Sequence, residues 1–302
     1  MNPILLIGQT GQVGLELLRS LSPLGTVIAP DRSQLDLANP DSIIACVQAT
    51  RPAVIVNAGG FTIVDEAEKN PELAMTLNGV AAGVLAECAR DCGALLIHFS
   101  TTFVFDGTKD SPYLETDEAN PVNAYGRSKL AGERAILAVG SQHLILRASW
   151  VYSHRRSNFA LAILRLGRRH DRLTIVDDQS GSPTWARDYA EATADILRQP
   201  DIARAASGIY HLSAASYCTR LEWATRLIQG AARFGPSQWR WPEILPTNST
   251  AYPHTAARPL YTVTDNRKIE RTFGLRMPSW DARIDPFLQT FDWNGLETMK
   301  QE

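Results

Sequence analysis

Short apolar runs alternate with amphipathic stretches along the first half of the chain. Ile4-Leu5-Leu6-Ile7 ends at a glycine, and Leu15, Leu17, Leu18 and Leu21 follow with the spacing of one helix face. Val27-Ile28-Ala29 and Ala53-Val54-Ile55-Val56-Asn57 predict strands on either side of a helix over 43–49. The alanine-rich stretch 71–91 predicts a long helix, Ala94-Leu95-Leu96-Ile97-His98-Phe99 a strand, 122–139 a helix and Leu144-Ile145-Leu146-Arg147 a further strand. These runs are apolar at successive positions, so the strands are buried on both faces and pair in parallel, with helices covering each side. Right-handed crossovers then make residues 1–152 an α/β domain with a doubly wound parallel sheet of Rossmann type.

Beyond Trp150 the alternation weakens. The pattern predicts helices over 158–169 and 185–198 and strands over 173–176 and 208–212. Tryptophan and proline crowd 236–259, which predicts loops packed by large aromatics. Residues 153–302 are expected to form mainly a smaller, loop-rich substrate-binding domain, with segments at about 173–200 returning to the large sheet.

Composition narrows the partners. The 302 residues are 44% hydrophobic and 21% charged, ordinary for a globular protein. A net charge of −2 argues against nucleic acid, whose phosphates call for a basic surface. No stretch reaches the roughly 18 apolar residues that a membrane span requires. The N-terminus enters a strand without a basic leader, so the cytoplasm is the expected compartment. Of four cysteines, Cys88 and Cys92 stand at i, i+4; without a second pair they read as buried thiols, and no metal is expected.

Gly8, Gly11 and Gly14 fall between the first strand and the first helix. A tight turn, close approach of backbone to a pyrophosphate and close helix–strand packing each favour a missing side chain. The helix that begins at Gln12-Val13 would offer free N–H groups to the anion. Asp31 and Arg32 follow the second strand, where a carboxylate suits ribose hydroxyls and an arginine suits a 2′-phosphate, so NADH and NADPH both stay open. Asp36-Leu37 would lie over the adenine. Asn57-Ala58-Gly59-Gly60-Phe61-Thr62, at the end of the third strand, would let a cofactor pass close to the main chain. Ser100-Thr101-Thr102 ends the fourth strand with hydroxyls able to meet a substrate carbonyl. Tyr125 and Lys129 stand one helical turn apart, and a nearby cation brings a phenol toward the neutral range that acid–base work needs.

The glycine turn, Thr101 and the Tyr125/Lys129 pair occur in the order of the extended short-chain dehydrogenase/reductase superfamily. Within it, Gly8-Gln-Thr-Gly-Gln-Val-Gly14, Val64-Asp65-x-Ala67-Glu68, Arg147-x-Ser149-Trp150-Val151-Tyr152 and Asp178-Gln179-x-Gly181-x-Pro183-Thr184 resemble the dTDP-4-dehydrorhamnose reductase family. The resemblance runs from residue 1 to about 190, with a looser echo at Arg258-Pro259. It implies reduction by NADPH or NADH of the C4 keto group of a dTDP-linked 6-deoxy-4-ketohexose, dTDP-4-dehydro-L-rhamnose. Tyr125 would give the proton, Lys129 would hold the nicotinamide ribose and lower the Tyr125 pKa, and Thr101 would polarise the carbonyl. Phe99 joins the residues expected to hold the dinucleotide, and Thr102, Trp150 and Arg258 those expected to touch the substrate. Glu16 matches a position where a family member holds a dimer-interface metal, but Arg187 stands where a further acid would be needed; a homodimer remains an expectation.

The chain departs from the family pattern at Thr102-Phe103, where Asp-Tyr is usual, at Gly59-Gly60, usually alanines, and at Phe61, where Tyr or His is common. The segment Arg258-Pro259-Leu260-Tyr261-Thr262 lacks the usual Asn-Ser. These changes keep open an epimerase, or a reductase of another nucleotide-linked ketosugar. A non-catalytic, NADP-binding regulatory subunit is the alternative from another class. The arginines at 165, 168, 169 and 172 read as a solvated helix end.

Overall fold

The computed structural model describes residues 3–252 and 255–296. Five strands of the first half, β1 (Ile4–Ile7), β2 (Val27–Ile28), β3 (Val54–Asn57), β4 (Leu95–Thr101) and β5 (His143–Ala148), lie parallel. Between them run α1 (Gln12–Leu21), α2 (Pro40–Thr50), a helical stretch made of α3 (Val64–Lys69), α4 (Pro71–Met75) and α5 (Ala81–Cys92), and α6 (Ala124–Val139). The strand order places β1 between β2 and β3, so the connections reverse direction there. Ligands of open α/β sheets bind beyond the carboxyl ends of the strands at such a switch.

The continuous apolar runs divide between two cores. In β1, Ile4 and Leu6 face the layer of α1, while Leu5 and Ile7 face the layer of α2 and α5; Leu96 and Ile97 of β4 split in the same way. This is the two-sided burial that the unbroken runs imply. The long helix expected over 71–91 is interrupted by a π-helical turn, Thr76–Val80. Cys88 and Cys92 are free, the first half-buried and the second exposed, so the expectation of two buried thiols fails for Cys92 at its helix end. Burial pushes the Cys88 thiol up to about 11.

After β5 the chain forms β6 (Val151–Tyr152), α7 (Phe159–Gly167), β7 (Arg172–Val176), β8 (Ser180–Gly181) and β9 (Thr184–Trp185). Then come α8 (Ala186–Leu197), α9 (Pro200–Ala205), β10 (Gly208–His211), β11 (Cys218–Thr219), α10 (Arg220–Phe234), β12 (Glu243–Thr247), α11 (Arg267–Phe273) and α12 (Ile284–Gln289). The return to the large sheet begins within 173–200 and continues beyond it. Helix α8 packs on α1, and β10 adds a sixth parallel strand beside β5. Residues 172–176 instead pair with β12 in a separate two-stranded sheet. That pairing also corrects the loop reading of 236–259, which hides a strand containing Pro246. A further core, built on Tyr152, Leu161, Leu164, Trp185, Trp223 and Phe287, joins α7, α10 and α12. Arg168 lies 4.0 Å over the Trp239 ring and Arg172 pairs with Glu243, so two of the four arginines tie α7 and β7 to this unit.

Candidate functional site

The glycine turn sits at the switch between β1 and β3. Gly8 has φ +83°, and a Cβ there would lie 2.5 Å from the Gly59 nitrogen. A Cβ on Gly14 would lie 2.0 Å from the Gly8 carbonyl oxygen. The first turn of α1 is therefore pressed against the end of β1, which in turn touches the Ala58-Gly59 corner after β3. Gln12 and Val13 open the helix, whose N-cap is Gly11, with no side chain covering the free N–H groups. A cradle of this shape fits the diphosphate of a dinucleotide. Gln9 donates to the Ala29 carbonyl at 2.5 Å and ties the turn to the end of β2. Leu37 closes on Gly59, where an added Cβ would be 2.8 Å from its Cδ1, so those two expected cofactor residues meet.

Asp31 and Arg32 lie on the exposed rim after β2. The Asp31 carboxylate accepts from the Ser33 hydroxyl (2.6 Å) and nitrogen (2.8 Å), which lowers its pKa. Arg32 is 3.7 Å from Asp36 and mostly exposed. Thr62 is exposed as well, after the corner at Gly60.

Across the sheet, Tyr125 and Lys129 project from the first turns of α6. Asn123 caps this helix through the Gly126 nitrogen (2.8 Å), and Glu68 accepts from the Ala124 nitrogen (2.7 Å). Gly126 lets the helix start rest on the loop after β4, because a Cβ there would be 2.1 Å from the Phe103 carbonyl oxygen. This contact brings Tyr125 to Thr101. Burial raises the pKa of the Tyr125 phenol, and the hydrogen bond with Thr101 opposes that rise. The Phe103 ring meets the Tyr125 ring edge-on at 6.0 Å. Thr102 is fully buried and its Oγ1 has no hydrogen-bond partner.

Lys129 is engaged by β4. Its Nζ donates to the Phe99 carbonyl at 2.6 Å and stands 3.3 Å from His98 Nε2. Burial brings its pKa down to about 8, against the opposing charge of Glu133. Glu133 is itself held by Ser100 (2.5 Å) and by Arg147 in a fully buried ion pair.

Three residues outside the sequence reading organise the site. Asn78, on the π-helical turn, binds the Phe61 nitrogen (2.8 Å) and carbonyl (2.9 Å) and donates to Ser128 Oγ (2.9 Å). It thereby fastens the loop after β3 to the catalytic helix. A π-turn is a recurring mark of functional positions, but its sequence here is an ordinary helical pattern. His98 reads as one residue of an apolar strand until Lys129 is placed against it. Arg220, the first residue of α10, lies 3.5 Å over the Trp150 ring and 4.7 Å over Phe159. No carboxylate pairs with it among the described residues, and burial together with the nearby Arg258 lowers its pKa. An unpartnered, enclosed guanidinium is suited to an anionic ligand.

Trp150 follows β5 with φ +44°, a left-handed conformation costly for a bulky residue. Stacking on Trp223 at 5.9 Å and the approach of Gly181, where a Cβ would fall 2.5 Å from the ring, hold it there. Arg258 is placed by a 2.7 Å bond to Asp65, and its Nη1 is buried without a partner. Glu16 is occupied by Arg19 (3.3 Å) and Arg187 (3.5 Å). Among the described residues no cluster of acids, histidines or cysteines is arranged to hold a metal ion. No helix of theirs is long and apolar enough to cross a membrane.

Comparison with known proteins agrees with this geometry. The family described as RmlD substrate binding domain matches residues 1–293. A dTDP-4-dehydrorhamnose reductase of Burkholderia thailandensis is 42% identical over 92% of this chain and 95% of its own length. That of Escherichia coli K12 is 40% identical over 94% and 96%. A crystal structure of the Bacillus anthracis dTDP-4-dehydrorhamnose reductase in complex with NADP superposes with TM-score 0.86 at 30% identity, covering 95% of this chain and 98% of that one. A UDP-glucose 4-epimerase of Thermus thermophilus, at 18% identity and TM-score 0.76, shares the fold.

Proposed function

The chain belongs to the dTDP-4-dehydrorhamnose reductase family, and from that membership we propose that it reduces the C4 keto group of dTDP-4-dehydro-L-rhamnose to give dTDP-L-rhamnose. The observation that carries the reading is the placing of Tyr125 beside Thr101 at the carboxyl end of β4, where Gly126 seats the helix on Phe103, with the glycine cradle across the switch point. The cradle of Gly8, Gly11 and Gly14, with Ala58-Gly59 and Leu37, would hold the dinucleotide, and Asp31 and Arg32 its adenosine end. When bound, NADPH or NADH supplies the hydride.

The side chains of this protein supply the rest. Thr101 donates a hydrogen bond to the keto oxygen and keeps Tyr125 directed at the same atom. Tyr125, un-ionised at neutral pH because burial raises its pKa, holds the proton that the oxygen needs as negative charge develops on it. Trp150 offers its face to the C–H side of the sugar ring. Arg220, and Arg258 through its unpartnered Nη1, fit the diphosphate between sugar and thymidine. The absence of an acid and a phenol at Thr102-Phe103 makes the sugar end of the pocket less polar than the usual Asp-Tyr would.

The test follows NADPH and NADH absorbance with dTDP-4-dehydro-L-rhamnose beside UDP- and GDP-linked ketosugars. Oxidation dependent on the dTDP sugar is expected. Turnover with only a UDP or GDP sugar would shift the substrate, and oxidation with none would favour a binding role.

A further inference from the structure

Beneath the site lies a chain of buried hydrogen bonds that the reaction above does not use. The Gly59 N–H donates to Asn57 Oδ1 at 3.2 Å. With its oxygen so engaged, Asn57 turns its Nδ2 toward His98 Nδ1, 3.1 Å away. The amide nitrogen is only a donor, so His98 Nδ1 accepts and carries no proton. His98 is fully buried, and burial lowers its pKa well below the ordinary value, which keeps the ring neutral. A neutral imidazole bears one proton, which therefore sits on Nε2 and points at Lys129 Nζ, 3.3 Å distant. An ammonium has three donors and no lone pair and cannot receive it. A neutral amine can: one N–H reaches the Phe99 carbonyl at 2.6 Å, and the lone pair accepts from His98.

We propose that Asn57 and His98 favour the neutral amine form of Lys129 in the empty protein, so that near pH 8 binding of the dinucleotide is coupled to proton uptake. His98 is then a positioning residue that biases the charge of Lys129, adding to the effect of burial. The inference rests on the dinucleotide-binding reading. On protonation Lys129 loses the lone pair that His98 addresses, so gaining the proton and turning from His98 toward the ribose hydroxyls occur together. The proton comes from solvent, and the amine becomes the ammonium with no other bond made or broken. The diphosphate of the cofactor, bound in the glycine cradle, favours the charged form. Other groups around Lys129 are spoken for. Glu133 of the same helix is held by Arg147 of β5 and Ser100 of β4, and Glu68 of α3 faces Arg127 and the helix N-terminus. Tyr125, one turn away, is bonded to Thr101.

Two measurements test it. Nitrogen-15 NMR of the histidines in the empty protein should show His98 protonated on Nε2; protonation on Nδ1 overturns the inference whether or not any cofactor binds. Titration calorimetry with NADPH at pH 8, in buffers of different ionisation heat, should show uptake of roughly half a proton, because Lys129 has a pKa of about 8. At pH 7 the uptake should fall to about a tenth. Equal heats in the two buffers would overturn it. In His98→Gln the amide oxygen accepts from Lys129 and favours its charged form; binding should persist and the uptake diminish. Undiminished uptake in that variant would also overturn the inference. If NADPH does not bind at all, the functional reading falls, and the tautomer of His98 alone decides this one.

Discussion

Tyr125 and the glycine turn serve different steps, proton transfer and dinucleotide binding, and their separate loss should read out differently. Tyr125→Phe removes the proton source and keeps the ring, so turnover should fall roughly 10²–10⁴-fold. The affinity for NADPH, measured by fluorescence titration, should stay within about twofold, since the cradle is untouched and a twofold change is under half a kcal/mol. Unchanged turnover would remove Tyr125 from the proton-transfer role. Gly14→Ala should do the reverse. A Cβ 2.0 Å from a main-chain oxygen forces the helix start away from the turn, so dinucleotide binding should weaken by 10-fold or more, about 1.4 kcal/mol. Residues like these are legible in a sequence because their chemistry depends on neighbours one turn away. Arg220 and His98 are not. Each is made functional by a residue distant in the chain, Trp150 and Lys129, and nothing local marks them.

Helix α6 carries Tyr125 and Lys129, and its placement rests on its first turn. Asn123 caps it and also donates to the Ala257 carbonyl at 2.8 Å, so one side chain joins the catalytic helix to the substrate side. Asn123→Ala should cost about 1 kcal/mol of stability for the cap, read by denaturant unfolding. It should also lower kcat, because Tyr125 stands two residues further on. An unfolding cost without any loss of kcat would make the cap merely structural. Asn78 on the π-turn fastens the same helix through Ser128, and Asn78→Ala leaves two main-chain groups unpaired and removes the donor to Ser128 Oγ, which keeps its own bond to the Tyr125 carbonyl. The expected loss is on the order of 3 kcal/mol, summing about 1 kcal/mol for each bond. The alanine-rich helix around Asn78 was plain from its pattern, but its interruption was not. A π-turn uses the same residue types as an α-turn, and the close packing of Gly132 against the Asn78 carbonyl is a contact distant in the chain.

At the scale of the whole molecule, two buried histidines link folding to pH. Burial, aided by Arg147, lowers the His211 pKa to about 3, and His98 is lowered as well. A lowered folded-state pKa means that the unfolded chain binds protons first. Their contribution is complete above about pH 6.5, the unfolded value, and is lost as pH falls toward 3, at up to about 1.4 kcal/mol per pH unit for each group. Urea unfolding between pH 6.5 and 5 should show this slope, reduced in His211→Gln; the same slope in both proteins would refute the assignment. The sheet itself was legible from unbroken apolar runs, which only a two-sided core explains. The second unit was read less well, because β12 carries a proline and much of its surface is exposed, and periodicity cannot flag such a strand.

Strand β10 has a consequence for how the chain can be divided. It comes from beyond residue 200, yet it covers the flank of β5, whose residues are all buried. A fragment ending at residue 152 would keep every glycine, Tyr125 and Lys129, but would present β5 as a bare, apolar edge, and such edges recruit other strands. Expressed alone, that fragment should self-associate, as light scattering would detect. A fragment extended through residue 214 should remain dispersed for longer. The dinucleotide half is thus no portable module, and its solubility is a property lent to it by the half that meets the sugar.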